Sequence, residues 1–491
     1  MQEKEIIKNT SIFTIARYSA YFFTILAGFI IARSLGPTLF GVYSALMLVT
    51  TYSMYSYLIL LLAMTKKVPF YNGKKELEKA EDIEKTVFGG SVLIILVISI
   101  LLVISSFLIK NVSQSTIKGI RIVAVIVILQ QVFYFYQHYF RAEKKFQMMG
   151  KSMVIYSIAF FALVITLIRF NVEGVLLSML IAYFMVIIYF FRKAGFKAKL
   201  PNPRKMLSLT RIGFPLLTIS VMTIIFISID KIMIIKFMDT TSLGYYSFAL
   251  LIAGIVLFIP QSVGSVLFPY TLERYGIKEN MQHIKNYLFQ PTFAVSYLIP
   301  IVIGLVFITA PILIYYLLPD YLPGLAVFKI LVCSVFFMSL TEPSNNLLVA
   351  LNREKTILSL QAVSIILAVV LNYIFIVNGY GITGIAIATA ISYFFYNINL
   401  LIQSFGHYIK GILNYLRFFM KIYAPIVYVV IILLFLDMFP ATGILMKDVF
   451  FTIVKIILFG VLGIPLVWIA NKKTGIIKIF LSLVFKRGDS N

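Results

Sequence analysis

The chain has almost no cysteine. Its single thiol, Cys333, lies in an apolar run, which excludes an intrachain disulfide and any cysteine-based metal site. Histidine is nearly as scarce, with three residues that lack metal-ligand spacing. Charge is scarce as well. Charged residues make up 13% of 491 positions and hydrophobic residues 61%, with a mean hydropathy of +0.97. A soluble domain is nearer about a quarter charged and about half apolar. Also missing are a glycine-rich phosphate loop, a Walker lysine, a nucleophile elbow and a metal motif. No long external loop is present to house glycosyl transfer or ligation, which argues against a membrane enzyme that polymerises glycans. The same absences argue against ATP-driven transport by this chain alone. No covalent chemistry, cofactor or metal is expected.

What is present is a series of apolar runs of twenty or more residues, each long enough to cross a bilayer core as a helix. A transmembrane β-barrel would show short alternating segments instead. The net charge of +24 could suggest nucleic acid, but Lys and Arg sit in short loops between apolar runs, as topology determinants do. No nucleic-acid partner is expected. The first apolar run is longer than a signal h-region and carries Arg17, so it reads as a retained helix. The pattern predicts helices over 10–33, 41–64, 87–109, 120–141, 152–169 and 174–191, then 214–236, 244–268, 290–317, 325–350, 357–377 and 382–403, and finally 420–437 and 448–470. With the N-terminus cytoplasmic, the cytoplasmic segments hold 32 of the 43 Lys and Arg, and external loops and helix ends hold eight. Arg17, Lys231 and Lys455 lie within helices. An omitted or invented helix would reverse this alternation downstream of it. The expectation is an all-α polytopic membrane protein of about fourteen transmembrane helices with both termini cytoplasmic.

The chain also repeats itself. Residues 31–49 read IARSLGPTLFGVYSALMLV, and residues 234–252 read IIKFMDTTSLGYYSFALLI. Without a gap, Ile31, Thr38, Gly41, Tyr43, Ser44 and Leu48 fall on identical residues 203 positions later. In both copies an apolar helix ends in a cation (Arg33 or Lys236), a polar turn follows, and Gly-x-Tyr-Ser opens the next helix. Val68-Pro69-Phe70 answers Phe268-Pro269-Tyr270, and the segment from Gly174 to Phe184 answers that from Gly384 to Phe394. Each half holds an even number of helices, so the copies share one orientation. A substrate site is then expected between them near the midplane. The predicted parts are an N-terminal six-helix lobe (1–199), an amphipathic cytoplasmic linker (200–213), a second six-helix lobe (214–410), and an amphipathic segment with a helix pair and basic tail (411–491). The amphipathic stretches 204–213 and 411–423 read as short helices on the cytoplasmic leaflet.

The informative residues are ionisable groups inside helices, which cost about 2.5–3.5 kcal/mol each at a helix centre. Arg17 lies about 10 Å deep at roughly 1.5 Å per residue. It faces either a cavity or, by snorkelling, the lipid phosphates. Asp230 and Lys231 are adjacent, about 100° apart around a helix, so one of them could be a structural link. Glu342 interrupts Thr341-Glu342-Pro343-Ser344-Asn345-Asn346, as a coupling carboxylate or as the cap of a kink. By the repeat it corresponds to Gln131 of the pair Gln130-Gln131. Gln130, Gln131, Tyr134, Tyr136 and His138 could line a sugar path, and Lys455 reads as structural.

The order IARSLGPTLFGVYSAL, a proline-ended second helix, then DKIMIIKFMDTTSLGYYSFAL and Pro260 resembles the polysaccharide flippases of the multidrug, oligosaccharidyl-lipid and polysaccharide exporter (MOP) superfamily. The resemblance implies two lobes around a central cavity, alternating access, and a polyprenyl-(pyro)phosphate-linked oligosaccharide moved from the inner to the outer leaflet of the cell membrane. It implies that the last helix pair receives the lipid tail, and that cavity cations face the pyrophosphate, Arg17 first and Lys231 second. Asp230 and Glu342 depart from a purely cationic cavity and are the candidates for proton or sodium coupling. Association with glycosyltransferases and a polymerase of the same polysaccharide goes with this reading. The alternative is a cation-coupled multidrug antiporter of the same superfamily, with Asp230 or Glu342 as the ion site.

Overall fold

The computed structural model describes residues 2–109, 113–195, 202–278, 281–406, 408–439 and 442–474. Among them no strand occurs. The elements are α1 (Gln2–Gly73), α2 (Leu77–Leu108), α3 (Gln114–Ala142), α4 (Phe146–Leu167), α5 (Asn171–Ala194), α6 (Pro203–Phe237), α7 (Thr240–Lys278), α8 (Met281–Leu317), α9 (Leu325–Ser339), α10 (Thr341–Ala350), α11 (Glu354–Val377), α12 (Gly381–Phe405), α13 (Ile412–Asp437) and α14 (Leu445–Thr474). The described residues hold twelve stretches long and apolar enough to cross a membrane. Two of these hold two long limbs each. The stretch Phe13–Asn72 bends at Gly36, and Phe146–Lys193 contains both α4 and α5. The sequence-based figure of fourteen treats those four limbs separately.

The repeated stretch shows how one turn can be made twice with different chemistry. In α1 the turn expected over 34–40 shrinks to Gly36, with φ 66° and ψ 172°, a backbone that disfavours any Cβ. Pro37 then starts the second limb, where its missing N–H has no helical partner to lose. The residue equivalent to Gly36 in the second copy is Asp239. Its carboxylate accepts from the Ser242 N–H at 2.6 Å and caps α7.

The chain forms two compact units. The first comprises Met1–Val221 with Asp239–Gly244. Here α1 packs on α2, α3 and α4, and α3 also packs on α5. An aromatic core fills the space, with Phe88 and Phe135 ring centroids 4.8 Å apart and Tyr136 and Phe190 4.7 Å apart. Within this unit the two turns of the repeat meet. Thr38 Oγ1 and Thr241 Oγ1 are 2.8 Å apart. A Cβ at Gly41 would collide with the Thr240 carbonyl oxygen, and one at Gly244 with the Pro37 carbonyl oxygen. The repeat keeps glycine at 41 and 244 because backbone meets backbone there.

The second unit comprises Met222–Met238 with Tyr245–Asn491. α9 and α11 pack on α12 around a core of Phe226, Leu348, Ile357, Tyr393, Tyr396 and Leu400. α8 supports the last two helices. Ser296 Oγ donates to the Ile422 carbonyl of α13 at 2.6 Å, and Phe459 of α14 lies against Gly304, where a Cβ would strike its ring. The outward faces of α11, α13 and α14 expose Ile366, Val377, Leu434, Ile457, Ile464 and Trp468. Such faces are stable against hydrocarbon, not water. This is a multi-pass membrane protein.

Two expectations need correction. The amphipathic stretches are not separate surface helices: 204–213 forms the first turns of α6, and 412–423 those of α13. Lys205 Nζ holds the former to Asp82 of α2 at 2.5 Å. The polar break near Glu342 is real, since α9 and α10 part at Leu340, but α3 runs unbroken through Gln131. Pro343 has no N–H to donate and crowds the preceding turn, whereas α3 contains no proline.

Candidate functional site

The first unit gathers its cations where the first limb of α1 meets the end of α3. The Arg17 and Arg141 guanidinium groups lie close enough for their charges to repel each other. Arg141 also acts on His138, whose Nδ1 is 3.1 Å from Thr65 Oγ1. Arg141 opens the charged stretch Arg141-Ala142-Glu143-Lys144 at the end of α3, where a cation reads as an ordinary loop charge. Its spacing from His138 and Tyr134, three and seven residues, places all three on one face of α3 and is the signal that would have found it. Arg141 is exposed and Arg17, His138 and Tyr134 are half-buried, so the cluster is accessible to a ligand.

The glutamines lie deeper. Gln131 is fully buried and donates through Nε2 to Ser91 Oγ of α2 at 2.6 Å. Gln130 is buried too, and Gln137 donates to Ser152 Oγ of α4 at 2.6 Å. The structure ties this polar row of α3 to neighbouring helices and does not bring Gln130 or Gln131 to Arg17. Tyr136 donates to the Gly195 carbonyl at 2.6 Å.

In the second unit the structure joins the two acidic residues through α12. Asp230 of α6 is buried, and its Oδ2 accepts from the Tyr246 hydroxyl at 2.5 Å. Its Oδ1 accepts from the Lys231 N–H at 2.8 Å. The Tyr246 hydroxyl is also 3.0 Å from Thr389 Oγ1 of α12. Tyr393 is within electrostatic reach of Asp230, and Tyr396 of Glu342. Tyr396 donates to Asn345 Oδ1 of α10 at 3.2 Å. Thr389, Tyr393 and Tyr396 fall at i, i+4 and i+7 on one face of α12. A single polar strip therefore runs from Asp230 to Glu342. Lys231 is half-buried, and its charge acts on Asp230. Tyr246 is the repeat partner of Tyr43, so the sequence marked it, but not as the partner of a carboxylate.

Neighbouring guanidinium groups attract anions, and a buried carboxylate attracts a cation or a proton. Among the described residues no cluster of three or more His, Cys, Asp or Glu could hold a metal ion.

The fold is that of the MOP superfamily transporters. It is similar to the lipid II flippase MurJ in an inward closed conformation, with 17% identity, 91% of this chain and 97% of that chain covered, and a TM-score of 0.70. It is also similar to an inward-facing multidrug resistance transporter of the MATE family, with 14% identity, coverages of 83% and 95%, and a TM-score of 0.63. A MOP superfamily transporter from Pyrococcus furiosus, described by the reversed polarity of its binding pocket, shares 13% identity over 82% of this chain and 95% of that one, with a TM-score of 0.58. No curated protein matches the chain by sequence. A family model does: residues 6–275 match the polysaccharide biosynthesis protein family, and the chain belongs to that family.

Proposed function

We propose that this protein is a flippase that carries a polyprenyl-(pyro)phosphate-linked oligosaccharide from the inner to the outer leaflet of the cell membrane by alternating access, for cell-surface polysaccharide biosynthesis. The observation that carries this reading is the proximity of Arg17 and Arg141. Two guanidinium groups at one place attract a pyrophosphate and repel an organic cation. Membership of the polysaccharide biosynthesis family supports the same reading. So does MurJ, which aligns with 91% of this chain against 83% for the multidrug transporter. A sugar–pyrophosphate head enters an apolar membrane only where protein groups replace its hydration. Arg17, Arg141, His138 and Thr65 supply such groups in the first unit, and Lys231 is the corresponding candidate in the second.

Purified protein in vesicles should flip a fluorescent lipid-linked oligosaccharide and leave a cationic dye where it is. Dye accumulation without lipid flipping would establish the second reading, a multidrug antiporter, which the buried Asp230 and the MATE likeness favour.

The loop charges orient the chain with both ends inside. In a Cys333→Ser background, a cysteine at Asn378 should react with an impermeant thiol reagent from outside the cell and one at Asn202 should not. Labelling at Asn202 in intact cells overturns that orientation.

Coupling to protons or sodium belongs to the polar strip on α12. A differential interaction of about 2.7 kcal/mol, roughly two pKa units, changes an inward–outward ratio about a hundredfold. Glu342→Gln keeps shape and hydrogen bonding while removing the charge. In vesicles with an imposed ion gradient it should lose gradient-driven accumulation and keep exchange at equilibrium. Unchanged gradient dependence removes Glu342 from coupling and passes the role to Asp230, tested in the same way by Asp230→Asn.

A further inference from the structure

A second charged cluster, remote in sequence from Asp230 and Glu342, lies where α8, α9, α13 and α14 come together. They enclose a cavity of about 320 Å³. Its wall is apolar, built by Phe307 and Pro311 of α8, Leu433 of α13 and Phe451 of α14. Its polar groups sit at one level. Asp437 is the last residue of α13, and Lys329 lies at the start of α9. The Lys455 ammonium reaches back along α14 to the Phe439 carbonyl at 2.6 Å, just beyond the end of α13.

The carboxylates here are already served. Asp437 accepts Lys329 Nζ on both oxygens, at 2.6 and 2.7 Å. Asp448 accepts from the N–H groups of Thr442 and Gly443 and from the hydroxyls of Thr442 and Tyr316. Lys455 differs. Among the described residues its hydrogen-bond acceptor is a neutral carbonyl, and its charge has no carboxylate at that range. An ammonium on a membrane-spanning helix is costly and settles where its stem lies in hydrocarbon and its head at the phosphate level. The surroundings are lipid-like. Met438, Phe439, Leu445, Met446 and Phe450 are exposed around the α13–α14 turn, so an anion that reaches Lys455 arrives attached to an apolar body.

We propose that this cavity is a binding site for an anionic phospholipid of the bilayer. Lys455 and the remaining donor capacity of Lys329 receive its phosphate, and one acyl chain lies along the wall formed by Phe307, Pro311, Leu433 and Phe451. Asp448 is saturated by four donors and the Asp437 charge is matched by Lys329, so the site favours a phosphate over a headgroup amine. The bound lipid fastens the α13–α14 pair to α8 and α9.

The test is one of binding and is independent of what the protein transports. Purified full-length protein in detergent is titrated with dioleoylphosphatidylglycerol, dioleoylphosphatidylcholine or inorganic phosphate. Native mass spectrometry reads retained lipid, and thermal melting reads stabilisation. The phosphatidylglycerol should be retained and raise the melting temperature, and the other two should do neither. Lys455→Gln should weaken retention about tenfold through loss of a charge-assisted contact. Thr452→Phe, which fills the cavity and leaves every charge in place, should weaken it likewise. Lys447→Gln, at the same end of α14 but outside the cavity, should not. Undiminished retention in Lys455→Gln overturns the proposal, as it does in Thr452→Phe should the first variant fail to fold. Equal retention of phosphatidylcholine, whose headgroup also carries a phosphate, overturns the assignment of an anionic lipid, and an equal effect of inorganic phosphate overturns the lipid.

Discussion

Arg17→Ala should reduce flipping of a pyrophosphate-linked oligosaccharide by about 10- to 100-fold with normal expression, the loss of roughly 1.5–3 kcal/mol of a hydrogen bond to a charged group. The reason lies in its neighbour. Arg17 and Arg141 lie within electrostatic reach of each other, and a pyrophosphate bound as proposed would relieve their repulsion while it accepts from both. Removing either should therefore hurt binding of the same ligand. Arg141→Ala should resemble Arg17→Ala, and the double variant should lose less than the sum of the two, because they share one anion. Arg17→Lys should keep part of the activity, since an ammonium offers a point charge without the bidentate fork. Initial flipping rates in vesicles, measured across substrate concentration, would show whether the loss lies in affinity. Full transport by Arg17→Ala would leave this residue as a snorkelling anchor and detach the pyrophosphate from the first unit.

Much of this architecture was legible because a membrane leaves a chain few options. Backbone polar groups must be satisfied within each span, so apolar runs become helices and loop charges mark their ends. The repeat was legible for a different reason. Thr38 with Thr241 and Gly41 with Gly244 are identities fixed by a contact between the two turns, and close backbone approach tolerates little else. The site was legible only in part. Arg17 and Asp230 stood out because a charge inside an apolar run has a cost visible in one dimension. Arg141 lies among loop charges, where a cation is ordinary. Tyr246, Thr389 and Tyr396 connect Asp230 with Glu342 across four helices, and no local pattern reports a hydrogen bond between residues 143 positions apart. Gln131 misled for the converse reason. A polar residue opposite Glu342 in the repeat suggested a matching break, whereas its amide is spent on Ser91 inside an unbroken helix.

The meeting of the repeat turns predicts the most complete effect. If the protein works by alternating access and the cycle parts the equivalent turns, their contact separates and re-forms in each cycle. The 2.8 Å approach of Thr38 Oγ1 and Thr241 Oγ1 puts these side chains within reach of a disulfide or a short thiol cross-linker. In a Cys333→Ser background, Thr38→Cys with Thr241→Cys should cross-link on oxidation, stop flipping, and regain it when reduced. Each single cysteine variant should keep transporting under the same oxidation. Gly41→Ala and Gly244→Ala approach the same contact from the other side. A Cβ at either position meets a backbone carbonyl, which unlike a side-chain tip cannot swing away, so the turns cannot close as they do here. Both alanine variants should also lose flipping. They differ from the cross-linked protein in geometry: Thr38→Cys with Thr241→Cys should cross-link on oxidation in the native background and fail to do so when Gly244→Ala is added. Undiminished transport by protein shown to be cross-linked would mean that these turns stay together throughout the cycle. The glycines would then be static packing positions, and the opening motion would have to lie elsewhere in the chain.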